Sequence, residues 1–556
     1  MMASSRPAAD PSLGPLRRAD WRFLLPRPPG GQFARLVLLG GPAGLATRLE
    51  QLRLADQVSQ EVSITQSTDA LIVLHDTPTP LGSAIRCLAP GGVLYAEVDR
   101  RTRAGAAVTP QRVRRSLERA GLTVTGTFWA KPDFPLCEMY LPLEAPTALQ
   151  WYMSTLYTSI TASRFALALA IRLITGLRGE RMAPLVPCFA ITAVAAPPPA
   201  ARVNALWQMA LPAPLAAATL RPLLLTDNGN RAVFLPFPPD GAHPAAVLKV
   251  PKLPEFNNKT AGEQAALVAL HRRLDASIAA TIPRSLGVYQ DGEIAVGLET
   301  YAPGRALLSS IGRWRATTRD KIVDLELATD WLVRFHRSAE IARPKWGEAE
   351  RHRWLEAPFD AFRSAFGMTP DEERLLATCR RRGIALIGVP LPIVWQHNDF
   401  GPWNIYRAGR TIHVIDWEGG RPGPALCDLL YLVTHWSATA RRLRGERAEL
   451  RSFQALFLET RADDALAVAA RTALERYMTE LAIDRRFLPL LLVGTWVELA
   501  LGRFDRGRTL GVLGAPARAD NRPLKFLGVL AEATERLFLA DSLDDRGPRR
   551  GEMGDA

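Results

Sequence analysis

The densest run of chemistry-bearing residues is VWQHNDFGPWNIYRAGRTIHVIDWE, from Val394 to Glu418. His397, Asp399 and Asn404 fit the pattern H-x-D-x-x-x-x-N, and Asp416 follows inside the apolar run HVIDWE. Pro392 to Trp395 reads as a strand entering the loop, and Thr411 to Ile415 as a second strand after the turn Ala408-Gly409-Arg410. Two carboxylates and a carboxamide then meet at the mouth of a small hairpin. Phosphoryl transfer needs such a set, because the protein's share is to orient an in-line hydroxyl and neutralise phosphate charge through a divalent cation. On this reading Asp399 orients the acceptor hydroxyl and takes its proton, while Asn404 and Asp416 offer the hard oxygen donors that Mg²⁺ prefers. The bland alternative is a hairpin whose polar side chains only cap turns.

The surrounding elements must bring a phosphate-binding group to that loop. Upstream, AAVLKVPK (Ala245–Lys252) reads as a strand with Lys249 in mid-run, where a lysine is costly to bury. TAGEQAALVALHRRL (Thr260–Leu274) reads as a helix starting at a Thr260 cap, from which Glu263 would reach back to Lys249. Each alone has an ordinary reading, Lys249 as a snorkelling edge-strand lysine and Glu263 as the capping-box partner of Thr260. Their order ahead of the loop favours a pair. Short strand-like runs occupy residues 220–301, and helical spacing follows over Thr318–Ala342, Pro370–Arg382, Arg447–Leu458, Asp464–Leu481, Phe487–Leu501 and Leu524–Leu539. Strands first and helices later predict an α+β unit with a small β-rich lobe and a larger helical lobe.

HNDFGPWNI followed by VIDWE resembles the catalytic loop and metal-binding segment of the aminoglycoside phosphotransferase and choline kinase family, relatives of the protein kinases. The resemblance implies a bilobal protein-kinase-like fold, ATP and Mg²⁺, Asp399 as catalytic base, Asn404 and Asp416 as metal ligands, and His397 as a structural brace. It also implies that Lys249 holds the α/β-phosphates. GLETYAPGRAL (Gly297–Leu307) resembles the family's interlobe hinge, so that Glu299, Thr300, Tyr301 and Ala302 would face the adenine through backbone groups. ATDWLVRFHRS (Ala328–Ser338) resembles the long helix ending in Phe-His, and Asp428 a family aspartate that braces the loop. The nucleotide loop, LLLTDNGNRAVFLPF (Leu223–Phe237), departs from the protein-kinase pattern in holding a single glycine. The likeness runs from about Leu220 to Leu539.

The N-terminal half alternates strands and helices, an α/β, Rossmann-like pattern. RLVLLGG (Arg35–Gly41), DALIVLHD (Asp69–Asp76), GGVLYAEVD (Gly91–Asp99) and CFAITAVA (Cys188–Ala195) read as strands buried on both faces, and PQRVRRSLERAG (Pro110–Gly121) as a helix with a glycine stop. RLVLLGGPAG (Arg35–Gly44) and LAPGGVLYAEVDR (Leu88–Arg100) resemble the first glycine-rich turn and a later strand of a class I S-adenosylmethionine-dependent methyltransferase. The resemblance makes Gly40, Gly41 and Gly44 the cofactor turn. The chain departs from that family in having Leu38-Leu39 where an acid ends the first strand, and in leaving little room between Gly44 and Asp69 for the strand whose acid holds the ribose. A degenerate domain used for docking or acceptor recognition is the alternative.

VAAPPPAARVNALW (Val194–Trp207) is the clearest break, since consecutive prolines favour an extended spacer. The expected layout is therefore a methyltransferase-like domain over residues 1–196, a linker over 197–206, a phosphotransferase domain over 207–540 and a disordered tail over 541–556. The formal charge of +13 comes from scattered arginines with no basic stripe interleaved with aromatics, so no nucleic-acid partner is expected. Five widely spaced cysteines fit a reducing cytosol, and the N-terminus lacks the apolar core of a signal peptide. FALALAIRLITGL (Phe165–Leu177) and LPLLLVGTWVELAL (Leu488–Leu501) fall short of the ~20 apolar residues of a membrane span and read as buried helices, interfacial binding of the first being the alternative.

The expected function is ATP-dependent transfer of phosphate to a hydroxyl of a small molecule or glycan. Two other readings stand beside it: a bifunctional methyltransferase-kinase acting on a polysaccharide or glycolipid, and a nucleotide-binding pseudokinase scaffold. An aminoglycoside acceptor would want an acidic pocket, and choline an aromatic cage such as Trp403, Trp436 and Trp496 would supply. Nothing in the sequence fixes the oligomeric state.

Overall fold

The structure, a computed structural model, describes residues 18–27, 31–62, 66–101, 108–155, 186–195, 205–216, 219–226, 229–313, 315–443, 445–459, 463–509, 518 and 521–543. Most of the expected linker (197–204), the apolar run 165–177 and tail residues 544–556 lie outside these. By contacts the chain divides into one compact unit of residues 1–268 and 283–303 and another of residues 269–282 and 304–556, so the division does not fall at the proline-rich segment.

The first unit is built on one sheet of twelve strands. Its N-terminal part comprises β1 (Phe33–Leu39), β2 (Ala55–Ser59), β3 (Thr68–Val73), β4 (Leu88–Asp99), β5 (Leu122–Lys131), β6 (Met139–Pro142) and β7 (Cys188–Ala195). Strands β2, β1, β3 and β4 lie side by side and parallel, and β7 runs antiparallel between β4 and β5. Strands β1, β3 and the later part of β4 are near-continuous apolar runs because both their faces are covered, whereas β2, at the sheet's edge, carries exposed Asp56 and Gln57. The stretch between Gly44 and Asp69, expected to be too short for a further strand, holds both helix α1 (Leu45–Gln51) and β2. A seven-residue helix closed by Arg53 in a left-handed conformation is enough to reverse the chain there.

The same sheet continues into the second half of the sequence. Strands β8 (Arg221–Leu225), β9 (Arg231–Phe237), β10 (Val247–Pro251), β11 (Ser285–Asp291) and β12 (Ile294–Glu299) form its antiparallel end, in the order β8-β9-β10-β12-β11. The join is between β6 and β8, with Met139 opposite Leu225 and Tyr140 opposite Leu224. Two further contacts reinforce it. Buried Lys252, just after β10, donates to Asp20 Oδ2 at 2.6 Å, and helix α2 (Pro146–Thr155) covers Leu223, Leu235 and Phe237. A chain beginning at residue 207 would bare the edge of β8 and this apolar face, and edges of that kind recruit other strands. We expect it to aggregate on size-exclusion chromatography where the full chain elutes as one species.

Helix α3 (Asn257–Arg273) begins three residues before the expected Thr260 cap, so Thr260 is buried inside the helix and Glu263 is not its capping partner. In the second unit, helix α4 (Thr318–Ser338) ends earlier than its expected limit at Ala342, because Glu340–Ala342 forms strand β13. Strand β13 pairs with β14 (Ile393–Gln396), which pairs with β15 (Arg421–Pro424). Strands β16 (Ile405–Ala408) and β17 (Thr411–Val414) form a separate hairpin. The two strands expected to form one hairpin, at 392–395 and 411–415, thus sit in different sheets, and the partner of the second is Ile405–Ala408. The expected helix Leu524–Leu539 is two helices, Arg522–Glu532 and Thr534–Leu543. Helix α6 (Phe487–Thr509) is long and apolar enough to cross a membrane by length and composition, yet Leu490, Leu492, Val493, Trp496, Val497 and Ala500 are buried within its unit.

Candidate active site

Helix α5 (Cys427–Ala440) starts beside the catalytic loop and holds it by one side chain. Asp428 accepts from the backbone N–H of His397 at 2.7 Å through Oδ2 and from that of Asn398 at 2.8 Å through Oδ1. His336, near the end of α4, brings Nε2 to 3.4 Å from the same carboxylate. Burial pushes the Asp428 carboxyl up, but the His336 hydrogen bond, the nearby imidazoles and the backbone donor outweigh it, and it titrates below its ordinary value. Asn398 is held at φ 60°, the bend that turns Asp399 out of the strand. Asp428→Ala would strand two backbone donors and His336 together. The expected cost is about 3 kcal/mol, read from urea unfolding.

His397 is fully buried between Phe400 and Trp417. Its Nε2 lies 2.8 Å from Ile415 O, and its Nδ1 is 3.2 Å from the Asp399 backbone N–H. A carbonyl on one side and a backbone donor on the other set the ring's orientation, with Nε2 donating and Nδ1 accepting. The ring therefore ties the loop to the strand that delivers Asp416.

Asn404 donates its amide to Asp399 twice, to the backbone oxygen at 2.9 Å and to Oδ2 at 2.8 Å. Both partners are acceptors, so the amide nitrogen faces Asp399 and the carbonyl oxygen faces away from it. The Asn404 backbone oxygen accepts from Ile415 N at 3.0 Å, which sets Asn404 beside Asp416 at the base of the β16–β17 hairpin. Asp416 is half-exposed and left-handed, at φ 73°. A carboxamide oxygen and a carboxylate are the donor set Mg²⁺ accepts when substrate phosphates and water supply the remainder. No cluster of three or more His, Cys, Asp or Glu suited to a metal exists among the described residues.

Asp399 is half-exposed and faces an aromatic wall. Trp403 Nε1 lies 3.4 Å from Asp399 Oδ2, and the Tyr431 hydroxyl also bonds the carboxylate. Trp403, Tyr431 and His435 are all half-exposed, with ring centres 5.9, 5.1 and 4.5 Å apart. Burial raises the Asp399 pKa above the ordinary value, with His397, Tyr431 and Trp403 opposing and Glu418 adding to the rise. Burial, with Arg522 nearby, lowers His435 to about 3, so its ring is neutral at physiological pH. Of the three tryptophans suggested for a cage, only Trp403 keeps surface beside Asp399; Trp436 is buried and donates to Lys321 O at 3.2 Å, and Trp496 is buried against Phe526. Tyr431 and His435 escaped the sequence reading although their i, i+4 spacing on α5 places them on one helix face.

In the first unit Lys249 pairs with buried Glu263 and lies 2.9 Å from Glu299 Oε1. Glu263 also accepts from Arg231 at 2.9 Å, a partner that no local pattern marks. Glu299 is pushed up to about 7, by burial first and by Glu263, against the pull of Lys249. Its Oε2 is buried with no hydrogen-bond partner among the described residues. The Thr300 N–H is taken by Arg284 O at 2.9 Å, which removes it from the backbone groups expected to face a base. Tyr301 and Ala302 lie beyond the last strand of the sheet. Gly40, Gly41 and Gly44 form the turn after β1 with φ of 83°, 99° and 82°. The turn closes on Asp76, whose Oδ1 accepts from Gly41 N at 2.8 Å and would be met at 2.5 Å by any Cβ on Gly40.

A sheet carrying a lysine-glutamate pair, together with a helical unit carrying the H-x-D-x-x-x-x-N loop and a following aspartate, defines a kinase-like phosphotransferase fold in the C-terminal region. The family model described as the phosphotransferase enzyme family matches residues 225–473. No curated protein matches the chain in sequence. Similar solved structures include the amicoumacin kinase hAmiN in complex with AMP-PNP, Ca²⁺ and Ami, at 13% identity and a TM-score of 0.33, covering 55% of this chain and 86% of that one. They also include choline kinase from Cryptosporidium parvum Iowa II, at 11% identity and a TM-score of 0.28, covering 58% and 93%. A choline/ethanolamine kinase family protein from Mesorhizobium loti matches at 15% identity and a TM-score of 0.28, covering 51% and 95%.

Proposed function

We propose that this chain transfers the γ-phosphoryl group of ATP to a hydroxyl group of a small molecule or glycan. The observation that carries the reading is the Asp399 carboxylate, oriented by the Asn404 amide and opening on a half-exposed aromatic wall where an acceptor would lie. Asp399 orients the acceptor hydroxyl and takes its proton. Asn404 and Asp416 would hold Mg²⁺, which neutralises phosphate charge when bound. Lys249, steadied by Glu263, holds the α/β-phosphates. Edge-to-face rings with neutral polar tips suit a sugar or polyol, since Tyr431 and His435 carry no charge there. The test is ATP turnover by the purified chain with a panel of sugars, polyols, amino alcohols and aminoglycosides, run beside Asp399→Asn. Acceptor-dependent turnover lost in the variant supports the reading, and a chain that binds no Mg²⁺-ATP sinks it.

A pseudokinase is disfavoured by the simultaneous presence of Lys249, Asp399, Asn404 and Asp416, with Lys249 held by Glu263, and Asp399 and Asn404 by hydrogen bonds to each other. For S-adenosylmethionine, the support is the glycine turn at the point where the parallel strand order 2-1-3-4 reverses, the usual ligand crevice of open α/β sheets. The residues around it fit that cofactor poorly. The Gly41 N–H is engaged by Asp76, Leu39 ends the strand, and Glu97, the buried acid of β4, is held by Arg18 at 2.6 and 2.5 Å. The five cysteines, all free, support a reducing cytosolic compartment.

A further inference from the structure

Within the first unit, the face of the sheet that carries Lys249 is shared by both halves of the sequence. Alternation along β8, β9 and β10 puts Leu223, Leu225, Val233, Leu235, Phe237, Val247 and Lys249 on that face, in a register that sets Leu223 opposite Leu235 and Lys249 opposite Val233. Helix α2 covers one side of it. Its Leu149, Trp151, Tyr152 and Met153 pack with Leu223, Leu235 and Phe237, all buried. On the other side Lys249 meets Glu263 of α3 and Glu299. Between them Leu225, Val233, Val247 and Tyr301 touch the cluster but keep exposed surface. The result is an apolar strip bounded by a helix on one side and a lysine held by acids on the other.

A flat apolar strip ending at a lysine fits a nucleotide, base on the strip and phosphates toward the ammonium group. Tyr301 closes the strip, and it is positioned from outside the phosphotransferase segment: Trp151 Nε1 donates to its hydroxyl at 2.7 Å. Trp151 also packs edge-on against Tyr301 and Phe237, at 6.2 and 5.7 Å between ring centres, and His243 stacks on Tyr301 at 5.5 Å. Tyr301 is thus fixed by a hydrogen bond and two rings, one of them from α2.

We propose that α2 forms one wall of the base-binding groove of the nucleotide site, with Trp151 as a positioning residue that holds Tyr301 against the base. The inference rests on the ATP reading above, and it gives the N-terminal half a role in phosphotransfer: without α2 the groove has one side.

Photolabelling of the full chain with 2-azido-ATP and 8-azido-ATP, each with and without excess ATP, tests it directly by mass-spectrometric mapping. ATP-protected label within residues 146–155, alongside the peptide bearing Tyr301, is the expected result. Protected label confined to β9, β10 and residues 294–303 would overturn the α2 wall while leaving the nucleotide reading intact. No protected label anywhere would overturn both. Calorimetric binding separates positioning from folding. Trp151→Phe and Tyr301→Phe should each weaken ATP about fivefold, the worth of one neutral hydrogen bond, and the double variant no further. Inorganic tripolyphosphate, which has no base, should bind all three variants as it binds the wild type. Equal weakening of ATP and tripolyphosphate would mean a general structural role and would overturn the proposal.

Discussion

Asp399→Asn should lower turnover about a thousandfold while leaving Mg²⁺-ATP binding intact and the chain at least as stable as the wild type near neutral pH. The rate loss follows from the role: a positioned general base contributes about 10²–10⁴-fold, and a carboxamide accepts no proton. Asparagine keeps an oxygen for the Asn404 amide and the Trp403 indole, so the geometry of the loop survives. Stability follows from the sign of the pKa shift. Burial raises the Asp399 carboxyl above its ordinary value, so in the folded chain it holds its proton to higher pH than in the unfolded chain. The unfolded state then releases that proton first, and stability falls as pH rises from the unfolded to the folded value, remaining lower above it. Asparagine removes this cost, and its advantage should vanish in acid, where both states are protonated. Activity of the wild type has the opposite dependence and should fall as pH drops through the raised value. Parallel urea titrations at neutral and acid pH, with kcat against pH, check both. A variant that is clearly less stable at neutral pH would show that Asp399 is a structural anion.

The catalytic loop was legible because its chemistry is local. His397, Asp399, Asn404 and Asp416 fall within 20 residues, and one hairpin brings Asn404 next to Asp416. Lys249 stood out because an ammonium in mid-strand is unusual. Long-range partners left no such trace. Arg231 reaches Glu263 across 32 residues, and Asp428 stood out only through the family resemblance, since the two backbone N–H groups it serves are ones any sequence would present. The joining of the two halves was illegible for the same reason. Met139–Pro142 and Arg221–Leu225 pair through backbone groups, and edge-to-edge pairing imposes no side-chain pattern beyond the alternation each strand has already. Helix α2 buries Ala148, Leu149, Trp151, Tyr152, Met153 and Thr155 and keeps Thr147, Gln150 and Ser154 as a short uncharged face, so it lacks the charged stripe by which a surface helix is most readily recognised. The start of α3 was misplaced because Thr260, a good cap by type, is carried into the helix by the 3₁₀ turn at Pro254–Phe256 that leads directly into Asn257.

The lysine-holding acid should be the most costly single residue to remove from the first unit. Glu263 is fully buried and takes charge-assisted hydrogen bonds from both Lys249 and Arg231. Glu263→Ala leaves two buried cations with Glu299 as the remaining carboxylate beside Lys249, and takes from Arg231 the acid to which it is hydrogen-bonded. Breaking a buried ion pair by deleting one side costs about 3–5 kcal/mol, because the remaining charge is left uncompensated. Urea unfolding of Glu263→Ala should show a loss in that range. Mg²⁺-ATP should also bind at least tenfold more weakly, since Lys249 would turn fully to Glu299 and away from a phosphate. The two effects separate in the double variant with Lys249→Met. Removing the orphaned ammonium should return part of the stability, a coupling of about 0.5–3 kcal/mol, but none of the ATP affinity. If instead the single substitution costs under about 1 kcal/mol and ATP binding is unchanged, Glu263 is not what holds Lys249, and the 2.9 Å contact with Glu299 must do so alone.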